Sequence, residues 1–559
     1  MIDSSGTTRY AYDALDRLTC AGPNTIGGPC PSGNVAYEYD NGPGPDAADF
    51  PGQRTKITYP DGKFVNYTYE KDGRMNTVSD WLSKVTTYTY DDGGRLIKTQ
   101  LPNGVFTHDI YDAADQLKCV LNDKTAASPS TCSSATMVSK FEYTLDAVGN
   151  RKQMLDTGVN TYVYDALYRL KQVTYPNPAP GTDTYTYDTN GNRLTKNATI
   201  YTYDYADQMK TAGGVAYQYD NNGNQTSAPS STFTYDHENR LTVVSGSNAS
   251  TNTYNGDGLR MSRTASGVTT NYTWDVASGL PSVLEDGTNR YVYGLDLISA
   301  TNASGAQTYF LYDGLGSTTE LVNGTNGSTL ASYRYDTFGA IRSQTGTSAN
   351  YWLFTGEQRD SGSNLYYLRA RYYDPGIGRF LSQDPLPTGN LYAYVGSNPV
   401  NFIDPSGLHC KAWHPHHCVQ GGADVAVDVL EETAGVVVHS AAAAASEATV
   451  EQIASSMQII SGAMIWMACG PQDAVPGAGQ VAFGICISAV SWYGAATAVK
   501  YMLADSACER QVVLGTAVLG LLPPFKYIGN VLASFSSGVE ALGCPTTAHA
   551  SGVYAGSKE

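Results

Sequence analysis

Along most of the chain Tyr alternates with small or polar residues, and each alternating run breaks at an acidic residue followed by a turn. The run "YAYDALDRLT" at Tyr10 returns as "YTYDDGGRLIKT" at Tyr88, "YVYDALYRLKQV" at Tyr162, "YTYDTNGNRLTK" at Tyr185, "YTYDYADQMKT" at Tyr201, "FTYDHENRLTVV" at Phe233 and "YRYDTFGAIRSQ" at Tyr333. Successive side chains of a strand point to opposite faces, so Y-x-Y sets two rings on one face. The residues after the Asp supply a tight turn in which Gly or Asn takes positive φ, and R-L-x-x is the return strand. Each unit therefore predicts a β-hairpin too small to bury its own face, and repetition predicts a stacked β architecture. The Asp accepts turn amides or pairs with the Arg of the same turn. A pair that recurs in unit after unit is structural rather than catalytic.

Composition supports a sheet protein. Tyr is 42 against Phe 13, Gly is 57 and only 16% of residues are charged, which suits aromatic rings with one wet edge. A length of 559 residues exceeds what one core serves and predicts two or three domains. The net charge of -17, without a Lys/Arg run, argues against nucleic acid as a partner. Cys20 and Cys30 bracket one insertion between repeats, and Cys119 with Cys132 brackets another. Such pairs suggest disulfides and an oxidising destination, with free thiols as the alternative. No signal peptide is visible, because "MIDSSGTTRYAYDALDRL" enters directly into the repeat pattern. The chain reads as the carboxy-terminal part of something longer, or as a product exported without a cleaved leader.

The repeats run to a denser segment, "LYYLRARYYDPGIGRFLSQDPLPTGNLYAYVGSNPVNFIDPSGL", from Leu365 to Leu408. Asp374-Pro375-Gly376 reads as a type II turn with positive φ at Gly376. Asp404-Pro405-Ser406-Gly407 has the occupancy of a type I turn that presents the following bond as a bend. Asp384 and Asp404 are candidates for peptide-bond cleavage, because two carboxylates in a low-dielectric pocket split their pKa values into an acid and a base. Arg371 and Arg379 are candidates for selecting which carboxylate stays charged. The competing possibility is that all four merely brace turns and pair as ions in a crowded plug.

The Y-D-x-x-G-R-L units resemble the YD repeats of Rhs proteins, of the C subunits of insecticidal toxin complexes and of teneurins. The segment 365–408 resembles the Rhs-associated core. The resemblance implies a mainly β fold: a spiralling hairpin shell over residues 1–364, closed by a core plug over 365–408, with the following polypeptide encapsulated as cargo. It further implies autoproteolysis just after D-P-x-G-L, here Leu408–His409, with Arg371 and Asp384 at the positions to which that cleavage is assigned. A secreted or surface-located bacterial protein delivered to a target cell, a secretion machinery and a cognate immunity protein follow from the same resemblance.

Beyond Leu408 the Y-D pattern vanishes. Residues 409–559 open with "HCKAWHPHHC", where Cys410, His414, His416, His417 and Cys418 are competent zinc ligands, while Cys410 and Cys418 alone would close a disulfide loop. No other cofactor is implied. Helical spacing follows, and the stretches 453–472 and 474–499 carry no charge. Both reach the roughly 20 apolar residues that span a bilayer, and both suit a soluble hydrophobic bundle. A separate, mostly α-helical effector is expected, acting on membranes or by an unrecognised enzymatic activity. The alternative for the whole chain is a cell-surface protein whose Tyr and Asn rows bind glycans or a partner, without proteolysis, or a structural element that cuts nothing.

Overall fold

The computed structural model describes residues 2–412 apart from 4–5, 25–27, 41–51, 177–178, 247, 348, 386–388 and 409–410, with 2–3 and 411–412 described as backbone. The helical region expected beyond Ala412, including 453–472 and 474–499, lies outside the described residues, as do His409, Cys410, His414, His416, His417 and Cys418.

The described residues form 42 short strands and two 3-10 turns, with no α-helix among them. Nineteen strands, from Arg9–Tyr12 to Val215–Ala216, close into a barrel. A 7-stranded sheet from Gln218–Tyr219 to Val268–Asn271 and an 8-stranded sheet from Thr273–Asp275 to Ile341–Gly346 follow. Pairing between successive strands is antiparallel, as consecutive hairpins require.

The unit around Asp165 shows how a hairpin is made. Asp165 Oδ1 accepts the N–H groups of Leu167 (2.9 Å) and Arg169 (3.0 Å), and Oδ2 accepts Arg169 Nε (2.7 Å). The same set recurs at Asp91 and Asp236, in keeping with a structural role for the repeated Asp/Arg pair. Three residues after the Asp the backbone is left-handed, at Gly94, Gly191 and Gly223 but also at Asp16, Asn239 and even Tyr168, with φ 59°.

A register shift follows the Asp165 turn, as it does those of Asp91 and Asp236. Tyr164 faces Leu170 whereas Val163 faces Gln172, so one return-strand residue bulges. The second Tyr of the next unit donates its hydroxyl to the carbonyl beside that bulge. Tyr187 reaches Leu170 (2.8 Å), Tyr90 reaches Met75 (2.8 Å), Tyr164 reaches Arg151 (2.6 Å) and Tyr235 reaches Gln225 (2.9 Å). The Arg of the earlier turn covers the same ring, with Arg74 4.7 Å from the Tyr90 centroid and Arg169 4.9 Å from that of Tyr187.

The position four residues after the turn Asp faces outward to the carboxylate, so the fifth faces inward. It is commonly Leu, as at the buried Leu170 and Leu241, but three units place Arg there. Arg151 donates to the carbonyls of Val400 (3.0 Å) and Gly314 (2.6 Å), and Arg193 to that of Ile377 (2.9 Å). Arg260, 0% exposed, pairs with both oxygens of Asp360 (2.9 and 2.8 Å) and donates to the Tyr372 hydroxyl (2.6 Å).

These arginines hold a four-stranded plug sheet of Gln358–Arg359, Tyr366–Leu368, Arg371–Asp374 and Arg379–Phe380. Its rings share one core with Trp274, Tyr333 and Phe354, and Tyr373 stacks on Tyr394 at 4.3 Å. The turn after Asp374 differs from the type II expectation. Positive φ falls at Gly378 rather than Gly376, because Asp374 Oδ1 accepts the Gly376 N–H (2.8 Å) and its carbonyl accepts the Gly378 N–H (2.8 Å), widening the turn. Disulfides join Cys20 to Cys30 and Cys119 to Cys132, closing the two insertions.

Replacing Tyr90 by Phe strands the Met75 carbonyl while keeping the ring. Urea unfolding of Tyr90→Phe is expected to show a loss of about 1–3 kcal/mol; an unchanged midpoint would refute the role given to this hydroxyl.

Candidate active site

Arg371 opens a plug strand, and its pairing with Leu368 leaves a two-residue turn of Arg369 and Ala370. Its guanidinium is 5% exposed and lies 3.6 Å above the Phe380 ring. Nη2 contacts Asp384 Oδ2 at 2.6 Å and stands 3.6 Å from Asp404 Oδ2. Nη1 donates to the Leu391 carbonyl (3.1 Å), and Nε donates to the carbonyl of Gly407. Burial lowers the pKa of this guanidinium, and the carboxylates of Asp384 and Asp404 oppose that shift. One buried cation thus joins both candidate carboxylates to the backbone of the last turn.

That turn is built from Asp404. Its Oδ1 accepts the N–H groups of Gly407 (2.8 Å) and Leu408 (3.1 Å) and the Ser406 hydroxyl (3.2 Å). Gly407 has φ 73°, and a Cβ there would lie 2.4 Å from the Leu368 carbonyl oxygen, so no other residue fits. The Ala370 N–H donates to the Ser406 carbonyl (3.2 Å), which fastens the turn to the plug hairpin. Backbone strand Lys411–Ala412 pairs antiparallel with Phe402–Ile403, and the Asp404 turn follows the first of these two strands.

Of the residues expected at the site, Arg371, Asp384, Asp404 and Leu408 come together. Arg379 does not join them. It donates to Asn192 Oδ1 (2.9 Å) and to the Asp207 carbonyl (2.6 Å), fastening the plug to two barrel turns. The reason is strand alternation: Phe380 faces Arg371, so its neighbour Arg379 must face the other way.

Sequence reasoning missed Arg369 and Glu357. Arg369 Nη1 donates to Glu357 Oε1 (3.0 Å) and Oε2 (2.9 Å) and to the Pro405 carbonyl, and its Nε donates to the Pro281 carbonyl (2.9 Å). Glu357 is 5% exposed, and burial pushes its carboxyl up to about 6, with Arg369 opposing the shift and Asp404 reinforcing it. Arg369 stands two residues before Arg371 in "LRARYY", and that clustering of cations was the signal. Nothing in the sequence marked Glu357 as their partner. Among the described residues no group of three or more His, Cys, Asp or Glu is placed to hold a metal ion.

The family model for the teneurin YD-shell matches residues 150–402. Over 290 residues the chain is 32% identical to the tRNA3(Ser)-specific nuclease WapA of Bacillus spizizenii, a match covering 48% of this chain and 11% of that protein. Over 459 residues it is 25% identical to the toxin subunit YenC1 of Yersinia entomophaga, covering 65% of this chain and 46% of that one. The match therefore spans about a tenth of the nuclease and less than half of the toxin subunit. In fold it is similar to the crystal structure of TcdB2-TccC3, with a TM-score of 0.55 at 18% identity, over 72% of this chain and 26% of that chain.

The raised carboxyl of Glu357 sets a sign for pH. The folded chain keeps this proton up to about 6 while the unfolded chain loses it near 4.5, so the contribution is greatest at low pH and declines as pH rises through that window. The unfolding free energy of the wild type minus that of Glu357→Gln, from urea titrations, should fall between pH 4.5 and 6, by at most about 2 kcal/mol; a difference that rises or stays flat contradicts the assignment.

Proposed function

Since the chain is an Rhs/YD-repeat protein, we propose that it is the delivery end of a polymorphic toxin, whose plug cuts the chain after Leu408 and frees the segment that follows. The observation that carries this reading is the single guanidinium of Arg371, bound at once to Asp384 and to the Gly407 carbonyl and standing 3.6 Å from Asp404. In the proposed reaction one carboxyl group takes a proton from water as the oxygen attacks the Leu408 carbonyl carbon. The other polarises that carbonyl and delivers a proton to the His409 nitrogen as the C–N bond breaks. Arg371 holds Asp384 charged and fixes the preceding carbonyl, while Asp404 fixes the Leu408 amide. Burial of the pair strengthens these interactions, as a low-dielectric site does.

The freed segment is the cargo, and its uncharged stretches 453–472 and 474–499 support action on a target membrane. The disulfides Cys20–Cys30 and Cys119–Cys132 support an oxidising destination, hence export to the surface or beyond. A cognate immunity protein and a secretion machinery complete the set of proposed partners.

Mass spectrometry of the purified chain after incubation is expected to give fragments 1–408 and 409–559, and Asp384→Asn is expected to stay whole with its fold kept. An intact wild-type chain after weeks would sink the self-cleavage reading. For the cargo, the incubated wild-type chain should release dye from liposomes while uncut Asp384→Asn does not; equal silence of both would rule out membrane action.

A further inference from the structure

We propose that Arg369 and Glu357 are a positioning pair for this cut, clamping the Pro405 carbonyl so that the bond after Leu408 is presented to Asp384 and Asp404. The inference rests on the self-cleavage reading above. Three segments distant in sequence converge on one guanidinium: Pro281 through its carbonyl, Glu357 through both carboxylate oxygens, and Pro405 through its carbonyl. The Arg369 backbone is left-handed at φ 56°, a conformation that a non-Gly residue holds only when its surroundings impose it. A buried carboxylate also needs a reason to be present. Its desolvation is offset only when geometry is good and the remaining lone pairs are satisfied.

Together with Arg371 the pair makes a two-point hold on the turn. Arg369 takes the carbonyl of Pro405 and Arg371 that of Gly407, while Asp404 takes the amides between and after them. The backbone from Pro405 to Leu408 is thus fixed from both sides. The charged groups that act on the Glu357 carboxyl are Arg369 and Asp404, and its own charge acts on the hydroxyls of Tyr293 and Tyr394. Of these Arg369 alone is cationic, so protonation of Glu357 loosens Arg369 and, with it, Pro405.

The test follows the appearance of fragment 1–408 from the full chain between pH 5 and 8. Arg369→Lys keeps the charge but not the planar group whose Nε holds Pro281 while Nη1 holds Glu357 and Pro405, and Glu357→Gln removes the charge. Both are expected to slow the cut by about ten- to a hundred-fold, at an unchanged position. The wild-type rate should drop as pH falls through about 6, and this limb should vanish in Glu357→Gln. Variants that lose thermal stability but keep the wild-type rate and pH profile would overturn the proposal, leaving a brace only. If the wild type is not cut, the self-cleavage reading fails by itself, and hydrogen exchange on the uncut chain decides the clamp. Arg369→Lys should then speed exchange at the Gly407 and Leu408 amides about ten-fold or more, relative to Tyr373. Unchanged exchange there refutes the pair, and Glu357→Gln gives the same reading should Arg369→Lys not fold.

Discussion

The structure depends on one hydrogen bond made many times, from a Tyr hydroxyl to the carbonyl beside the preceding unit's bulge. In the Y-x-Y-D units the return strand after the left-handed turn carries an extra residue, as after Asp165, and a bulge takes a backbone group out of the ladder. In a half-buried sheet that group must find a partner. The next unit's second Tyr provides it, under cover of the earlier unit's Arg, as at Tyr187 with Leu170 and Arg169. Where this bond forms, a unit is not satisfied until its successor has folded against it, a role that Tyr can fill and Phe cannot. The coupling is between neighbours, as in other repeat architectures.

The inner face uses the same alternation differently. Outward at the fourth position the side chain closes its own turn, and inward at the fifth it meets buried groups, in the barrel and in the 7-stranded sheet alike. Leu170 and Leu241 meet other apolar groups. Arg151, Arg193 and Arg260 meet carbonyls, Asp360 and a tyrosine hydroxyl, so wherever Leu becomes Arg the wall is fastened to the 8-stranded sheet or the plug. Buried ion pairs contribute little net stability but penalise any arrangement that separates them. Arg260 with Asp360 is such a pair, and it selects one seating of the plug over a looser apolar packing.

Much of this was legible in the sequence, for identifiable reasons. Y-x-Y-D followed by a turn encodes a hairpin because both the period and the φ demand are local, and recurrence alone separates Asp165 and Arg169 from chemistry. Arg371 with Asp384 and Asp404 was legible through resemblance and through the turn at Asp404. Arg379 misled because closeness in sequence to Asp384 says nothing about which face it occupies, and Phe380 decides that. Tyr168 in the left-handed region was hidden because its neighbours, not its own preference, impose the turn. Glu357 was hidden because its role comes from a tertiary meeting with Arg369.

The plug and the candidate site are the same set of contacts. Left-handed non-Gly residues gather there, at Thr355, Asn364, Arg369, Val395 and Ser397, so the local backbone does not hold this conformation by itself. The surrounding wall supplies the hold, through Arg260 on Asp360, Arg193 on Ile377 and Arg379 on Asn192 and Asp207. The Asp384 amide is fixed by Leu391, and Arg369 requires the Pro281 carbonyl from the start of another sheet. The contacts of Arg369 and Arg371 draw on segments from Pro281 to Gly407. In the proposed reading this makes the cut a late event: a partly folded chain has Asp384 and Asp404 apart and hydrated, without the low-dielectric pairing that would make one an acid and the other a base. In that reading the folding of the wall controls release, because the interactions that seat the plug also assemble the proposed site.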